Sequence, residues 1–88
     1  AKTDPQAKGS RGISIFAVEQ GTPGFRVGRA LKKQGWLASD TAELVFDHCR
    51  VPAAHLLGEE NAGFYAVMKN FQVERIALGS MAIGHCLT

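Results

Sequence analysis

The stretch Ala62–Thr88, AGFYAVMKNFQVERIALGSMAIGHCLT, constrains the fold of this chain more than any other. Apolar residues recur through it at helical spacing, so the pattern predicts one long helix. Val67, Phe71, Leu78 and Met81 fall on one side, Tyr65, Ile76 and Ile83 on the opposite side, and Lys69, Asn70, Gln72 and Ser80 interrupt the apolar circumference in the central turns. A helix that is apolar nearly all round has to be covered on more than one side. The rest of the sequence holds no comparable helix to cover it, so the chain reads as a piece of something longer.

Glu74 is the only acidic group in this helix, and it sits in the middle of an apolar stripe. Val67, Phe71, Leu78 and Met81 lie at i−7, i−3, i+4 and i+7 from it and share its face. A carboxylate taken out of water loses solvation that methyl contacts do not replace. Such a group either finds a partner or becomes harder to ionise. Two readings follow: Glu74 is a general base, or it is a charge that is partly exposed or paired with a neighbouring Arg. Gly79 and Gly84 each cost about 1 kcal/mol of helix propensity relative to Ala, which is expected where another element approaches closely. Asn61 is the expected N-cap, and Glu59 and Glu60 suit the positive end of the helix dipole.

The chain before the helix reads as strands joined by tight turns. Ala1–Arg11 is a surface loop in which Lys8, Gly9 and Ser10 either are simply solvated or approach an anion through an ammonium and free N–H groups. Gly12–Glu19 is apolar on both faces and is expected as an interior strand. Gln20–Gly24 supplies a turn, and Phe25–Ala30 a short, more exposed strand. Trp36 is expected as a core or interface anchor, and Ser39-Asp40-Thr41 as a turn. Ala42–Val51 is the next strand, closed by Pro52, which has no N–H to offer a ladder. The whole is an α+β chain: antiparallel strands handing over to one helix in a separate layer or domain.

Composition narrows the function. With 88 residues, a lone domain would bury roughly 60–65% of the surface of its unfolded chain, a marginal fraction. The net charge of +2 is dispersed, without the basic stripe or interleaved aromatics that nucleic-acid binding requires. Cys49 and Cys86 are far apart and His48 and His55 stand without ligand-spaced partners, so no metal site is expected and both histidines read as ordinary. Two cysteines suit a reducing compartment. No signal-peptide pattern or bilayer-length apolar run is present.

Three stretches together resemble one family. Gly12–Gly24 (GISIFAVEQGTPG), Gly35–Gly58 (GWLASDTAELVFDHCRVPAAHLLG) and Gly63–Arg75 (GFYAVMKNFQVER) are similar to the middle β-domain and the first long helix of the C-terminal domain of acyl-CoA dehydrogenases. The resemblance implies residues 1–58 as part of an incomplete β-barrel domain and 59–88 as the start of a helical-bundle domain. It further implies an FAD enzyme that oxidises an acyl-CoA to a trans-2-enoyl-CoA. In that reaction a carboxylate removes the α-proton while a hydride leaves Cβ for the flavin, and electrons then pass to an electron-transfer flavoprotein.

In most of that family the base lies on a later helix that this chain does not contain, whereas in the isovaleryl- and long-chain-like groups it is the glutamate directly before an arginine on this helix, the place Glu74 holds in NFQVERIAL. By the same resemblance Arg75 helps to hold the CoA part or orders the site, Tyr65, Gln72 and Val73 line the acyl-CoA channel, and Lys8, Gly9 and Ser10 touch the CoA moiety. Asp47, Arg50, Val51 and Pro52 match a structural strand-end signature. The family's flavin-contacting segments have no counterpart here, so no residue of this chain is expected to bind FAD. A homotetramer or dimer is implied, in the cytoplasm of a bacterium or the matrix of a mitochondrion. Two alternatives stand beside this reading: an acyl-CoA oxidase or related flavoenzyme of the same fold, and a β-rich interaction module in which Glu74 is only a specificity charge.

Overall fold

The computed structural model describes every residue from Ala1 to Thr88. Strands β1 (Ile15–Phe16), β2 (Phe25–Ala30) and β3 (Ala42–Phe46) are followed by a 3-10 turn at Ala53–His55, strand β4 (Leu56–Leu57) and helix α1 (Gly63–Cys86). The chain divides into two compact units, Ala1–Phe16 with Leu56–Thr88, and Ala17–His55.

In the first unit β1 pairs antiparallel with β4, Ile15 opposite Leu57 and Phe16 opposite Leu56. Single bridges join Ile13 to Lys2 and to Ala62. The N-terminal amino group donates to the Ser14 carbonyl at 2.8 Å, and the Ser14 N–H donates to the Ala1 carbonyl at 2.9 Å. The strand foreseen over Gly12–Glu19 is thus cut to two residues with a partner on one side only. Its partner is equally short, bounded by the 3-10 turn before it and by Gly58 at φ 76° after it.

Helix α1, in the same unit, starts at a close contact with the segment around β1. The Gly63 N–H donates to the Ile13 carbonyl at 2.8 Å, and a Cβ at Gly63 would lie 2.9 Å from Ile15 Cγ1 and 3.0 Å from Ile13 O. Only glycine lets the helix start so near β1. Asn61 is not the N-cap: Ala62 holds that position without a side-chain cap, while Asn61 takes φ 64° and turns its polar groups to Ser14 and Thr3. The 24 residues of α1 reach about 36 Å. From Lys69 to Thr88 all of them are exposed, so the cover that its apolar circumference requires does not come from this chain. Likewise a Cβ at Gly79 or Gly84 would meet nothing within 4 Å.

In the second unit β2 and β3 pair antiparallel, Phe25 opposite Phe46, Arg26 opposite Val45 and Val27 opposite Leu44, with an irregularity between Val27 and Ala30. The alternation places Phe25, Val27, Leu44 and Phe46 on one face. There the Phe25 and Phe46 rings stack with centroids 4.9 Å apart. β3 ends at Phe46 rather than at Val51. The Asp47 N–H donates to the Gly24 carbonyl at 2.8 Å and His48 adopts φ 48°, so the backbone leaves the extended region well before Pro52. Gly24 has φ 84°, and a Cβ there would lie 2.9 Å from Cys49 Cα, a conformation and a space that only glycine fits. Trp36 is not a core residue of this chain: it sits at φ 54° in the connection after β2, 69% exposed.

Neither sheet closes, and no hydrophobic side chain is buried; only Gly12, Ser14 and Gly63 are. The order of the first unit therefore rests on polar contacts around Ser14 and on the loop before it.

Candidate active-site helix

Glu74 and Arg75 lie in the fourth turn of α1, where Phe71, Glu74, Arg75 and Leu78 line one shallow open hollow of about 260 Å³. The grouping follows from helical spacing, since Phe71 and Leu78 stand one turn either side of Glu74. The carboxylate is exposed within this chain, and its Oε1 accepts a hydrogen bond from Asn70 Nδ2 at 2.5 Å. That bond is its only side-chain hydrogen bond, so Oε2 is free of a partner. Arg75 makes no hydrogen bond or ion pair and keeps its guanidinium available. The hollow thus offers one oxygen able to take a proton and one cation able to hold an anion, between two apolar side chains.

The other sequence-derived candidates lie around and away from this point. Tyr65, 60% exposed and edge-on to Phe64 with ring centroids 6.2 Å apart, is two and a half turns before Glu74 and on the opposite side of the helix. Gln72 falls on the Tyr65 side and Val73 between the two sides, both exposed. One helix alone does not bring them onto the Glu74 face. Lys8, Gly9 and Ser10 lie in the loop before β1. Gly9, at φ 62°, gives its carbonyl to the Lys2 ammonium at 3.4 Å, along with Ala7 at 2.6 Å and Arg11 at 3.2 Å. Lys2 therefore shapes this loop, and the Lys8 amine makes no hydrogen bond.

Ser14 is the residue whose importance the sequence pattern conceals. It is 1% exposed, its Oγ accepts the Asn61 N–H at 2.7 Å, and the same Oγ lies 2.7 Å from Thr3 Oγ1. Thr3 in turn donates to Asn61 Oδ1 at 2.6 Å. Three short polar side chains thereby join the N-terminal loop, β1 and the entry to α1. The one available signal was a serine inside the apolar run ISIF, which alternation alone assigns to a sheet face. Elsewhere His48 Nδ1 lies 2.6 Å from Asp47 Oδ1 and His55 Nδ1 lies 3.2 Å from the Ala17 carbonyl oxygen, each occupied locally. Cys49 and Cys86 are free thiols. No helix is long and apolar enough to cross a membrane.

No protein-family profile matches the chain. Individual proteins match it closely. It is 50% identical over 84 residues to acryloyl-CoA reductase (NADH) of Anaerotignum propionicum, covering 96% of this chain and 21% of that protein. It is 47% identical over 85 residues to mitochondrial isovaleryl-CoA dehydrogenase of Pongo abelii, covering 96% of this chain and 20% of that protein. Among solved structures, acyl-CoA dehydrogenase from Geobacillus kaustophilus superposes with a TM-score of 0.78 at 59% identity, over 84% of this chain and 20% of that one. The chain is homologous to one segment of the acyl-CoA dehydrogenases. It spans about one fifth of the length of the relatives it matches.

Acyl-CoA dehydrogenases are flavoproteins, and the residues present in this chain do not fit a flavin. No buried side-chain polar atom awaits a partner, and the hollow on α1 presents a carboxylate and a guanidinium rather than a row of donors facing a flat ring.

Proposed function

We propose that the protein carrying this segment oxidises the Cα–Cβ bond of an acyl-CoA, with Glu74 taking the α-proton. The observation that carries the reading is the place of Glu74 on α1: a carboxylate with one unpartnered oxygen, flanked by Phe71 and Leu78 and beside Arg75. An α-proton moves to a carboxylate efficiently only where water is kept away, and apolar neighbours one turn to either side serve that need once the helix is covered. Arg75, by its position in the same hollow, orders the site or holds the CoA part. Tyr65, Gln72 and Val73 line the acyl channel from other faces of α1, and Lys8, Gly9 and Ser10 meet the CoA moiety from the loop before β1.

FAD would take the hydride from Cβ, held by parts of the protein other than these 88 residues. Relatives named for isovaleryl-CoA, long-chain acyl-CoA and cyclohexane-1-carbonyl-CoA share the acyl thioester and differ in the chain, which supports an acyl-CoA as the substrate class. The same reading assigns residues 1–58 to a middle β-domain and 59–88 to the start of a helical domain. It also includes an electron-transfer flavoprotein as acceptor and a homotetramer or dimer. Relatives occur both in mitochondria and in bacteria, which supports a matrix or a cytoplasmic location respectively.

The identity to acryloyl-CoA reductase (NADH) favours a second reading, in which the same bond is reduced and Glu74 returns the proton to Cα. Anaerobic mixing of the flavin-loaded enzyme with acyl-CoAs tests both. Bleaching of the flavin by acyl-CoA, lost in Glu74→Gln, supports the oxidation and the base together. NADH-driven consumption of an enoyl-CoA without bleaching by acyl-CoA supports the reductase. Undiminished bleaching in Glu74→Gln refutes the base assignment.

A further inference from the structure

We propose that Asn70 is the positioning residue for Glu74. The inference rests on Glu74 being the base and adds to it a residue that sets how the carboxylate is held. Asn70 stands four residues before Glu74 on α1, hence one turn away on the same side, and its carboxamide nitrogen donates to Glu74 Oε1 at 2.5 Å. A glutamate on an exposed helix face has three side-chain torsions to fix before it can meet a Cα–H bond. An asparagine one turn back fixes them with a neutral donor and brings no charge that would compete for the proton. Because the amide engages Oε1 alone, the base is left with one anchored oxygen and one free oxygen. The proton is received at Oε2: the Cα–H bond breaks, an O–H bond forms, and the electron pair left at Cα becomes the Cα–Cβ π bond as a hydride leaves Cβ.

The chemistry of the pair also specifies what a replacement would do. A hydrogen bond to a carboxylate favours its charged form, and a second carboxylate nearby disfavours it. The charged side chains nearest to Glu74 on the helix are Lys69 and Arg75, and no other element of this chain packs against this part of α1. The Asn70 donor is therefore the one polar group of the chain in contact with the base.

The test is the anaerobic rate of flavin reduction by acyl-CoA as a function of pH, in the flavin-loaded enzyme, for Asn70→Ala, Asn70→Asp and Glu74→Gln. Asn70→Ala is expected to lower the limiting rate about tenfold, with the acyl-CoA dissociation constant unchanged within about twofold, because geometry rather than binding is lost. Asn70→Asp is expected to lower the rate further at neutral pH and to displace the acid limb of the profile to higher pH. If Glu74→Gln is inactive while both Asn70 variants keep the native rate and acid limb, the positioning role is overturned and the base assignment stands. A change confined to acyl-CoA affinity overturns it equally. If Glu74→Gln reduces flavin at the native rate, the base assignment itself fails and the Asn70 proposal with it.

Discussion

Replacing Gly63 by alanine is expected to destabilise the junction between β1 and α1. The added Cβ would lie 2.9 Å from Ile15 Cγ1 and 3.0 Å from both Ile13 O and Ile15 N. Ordinary carbon contacts begin near 3.4 Å, so the start of the helix must retreat by about 0.4–0.5 Å. Two of the three obstructing atoms are backbone and cannot swing aside. The retreat pulls directly on the Gly63 N–H bond to the Ile13 carbonyl, which stands at 2.8 Å and would move toward the outer limit of hydrogen-bonding distance. Overpacking of this kind costs about 1–3 kcal/mol. Against it stands the helix propensity of alanine, at most about 1 kcal/mol over glycine. The net expectation is a loss of up to roughly 2 kcal/mol.

Gly79→Ala makes the same chemical change at a helical site where a Cβ meets nothing within 4 Å of this chain, so here the propensity gain of about 1 kcal/mol stands alone. Urea unfolding of the protein followed by helical circular dichroism reads both variants. A Gly63→Ala midpoint at or above that of the parent would refute the close-approach argument. A loss at Gly79→Ala instead would show that another segment covers α1 there, as the sequence suggests from Gly79 and Gly84.

Ser14→Ala removes a buried acceptor and leaves the Asn61 N–H without its partner, which should cost about 1–3 kcal/mol in the same unfolding measurement. Gly24→Ala forces a side chain into φ 84° against Asp47 and Cys49; a loss of about 2 kcal/mol or more is expected, and no loss would mean the turn relaxes freely. Glu74→Gln should abolish flavin bleaching by acyl-CoA while leaving thermal stability within about 0.5 kcal/mol, because the side chain it alters is exposed and makes a single hydrogen bond. A stability loss of several kcal/mol would assign Glu74 to structure instead.

Much of the chain could be read from residue order alone. The helix appeared within a residue or two at each end, because helical spacing of apolar side chains is local and needs no knowledge of partners. Strand β2 appeared with its observed limits for the same reason. The pairing of Glu74 with Phe71, Leu78 and Arg75 is likewise a consequence of spacing along one helix. What spacing could not supply is every feature that depends on a second segment. The ends of β1 and β3 are set by what lies opposite them: a two-residue partner for the first, and the Gly24 carbonyl with the left-handed turn at His48 for the second. Asn61, a good N-cap by composition, is drawn instead into a network with Thr3 and Ser14 that begins 58 residues away in the chain. A hydrogen bond across that distance leaves no periodic trace in the sequence. Local chemistry thus determined which residues form the helix and which face carries the carboxylate. The approach of β1 to Gly63 and the burial of Ser14 were decided by folding in three dimensions, because each depends on where segments distant in sequence come to rest.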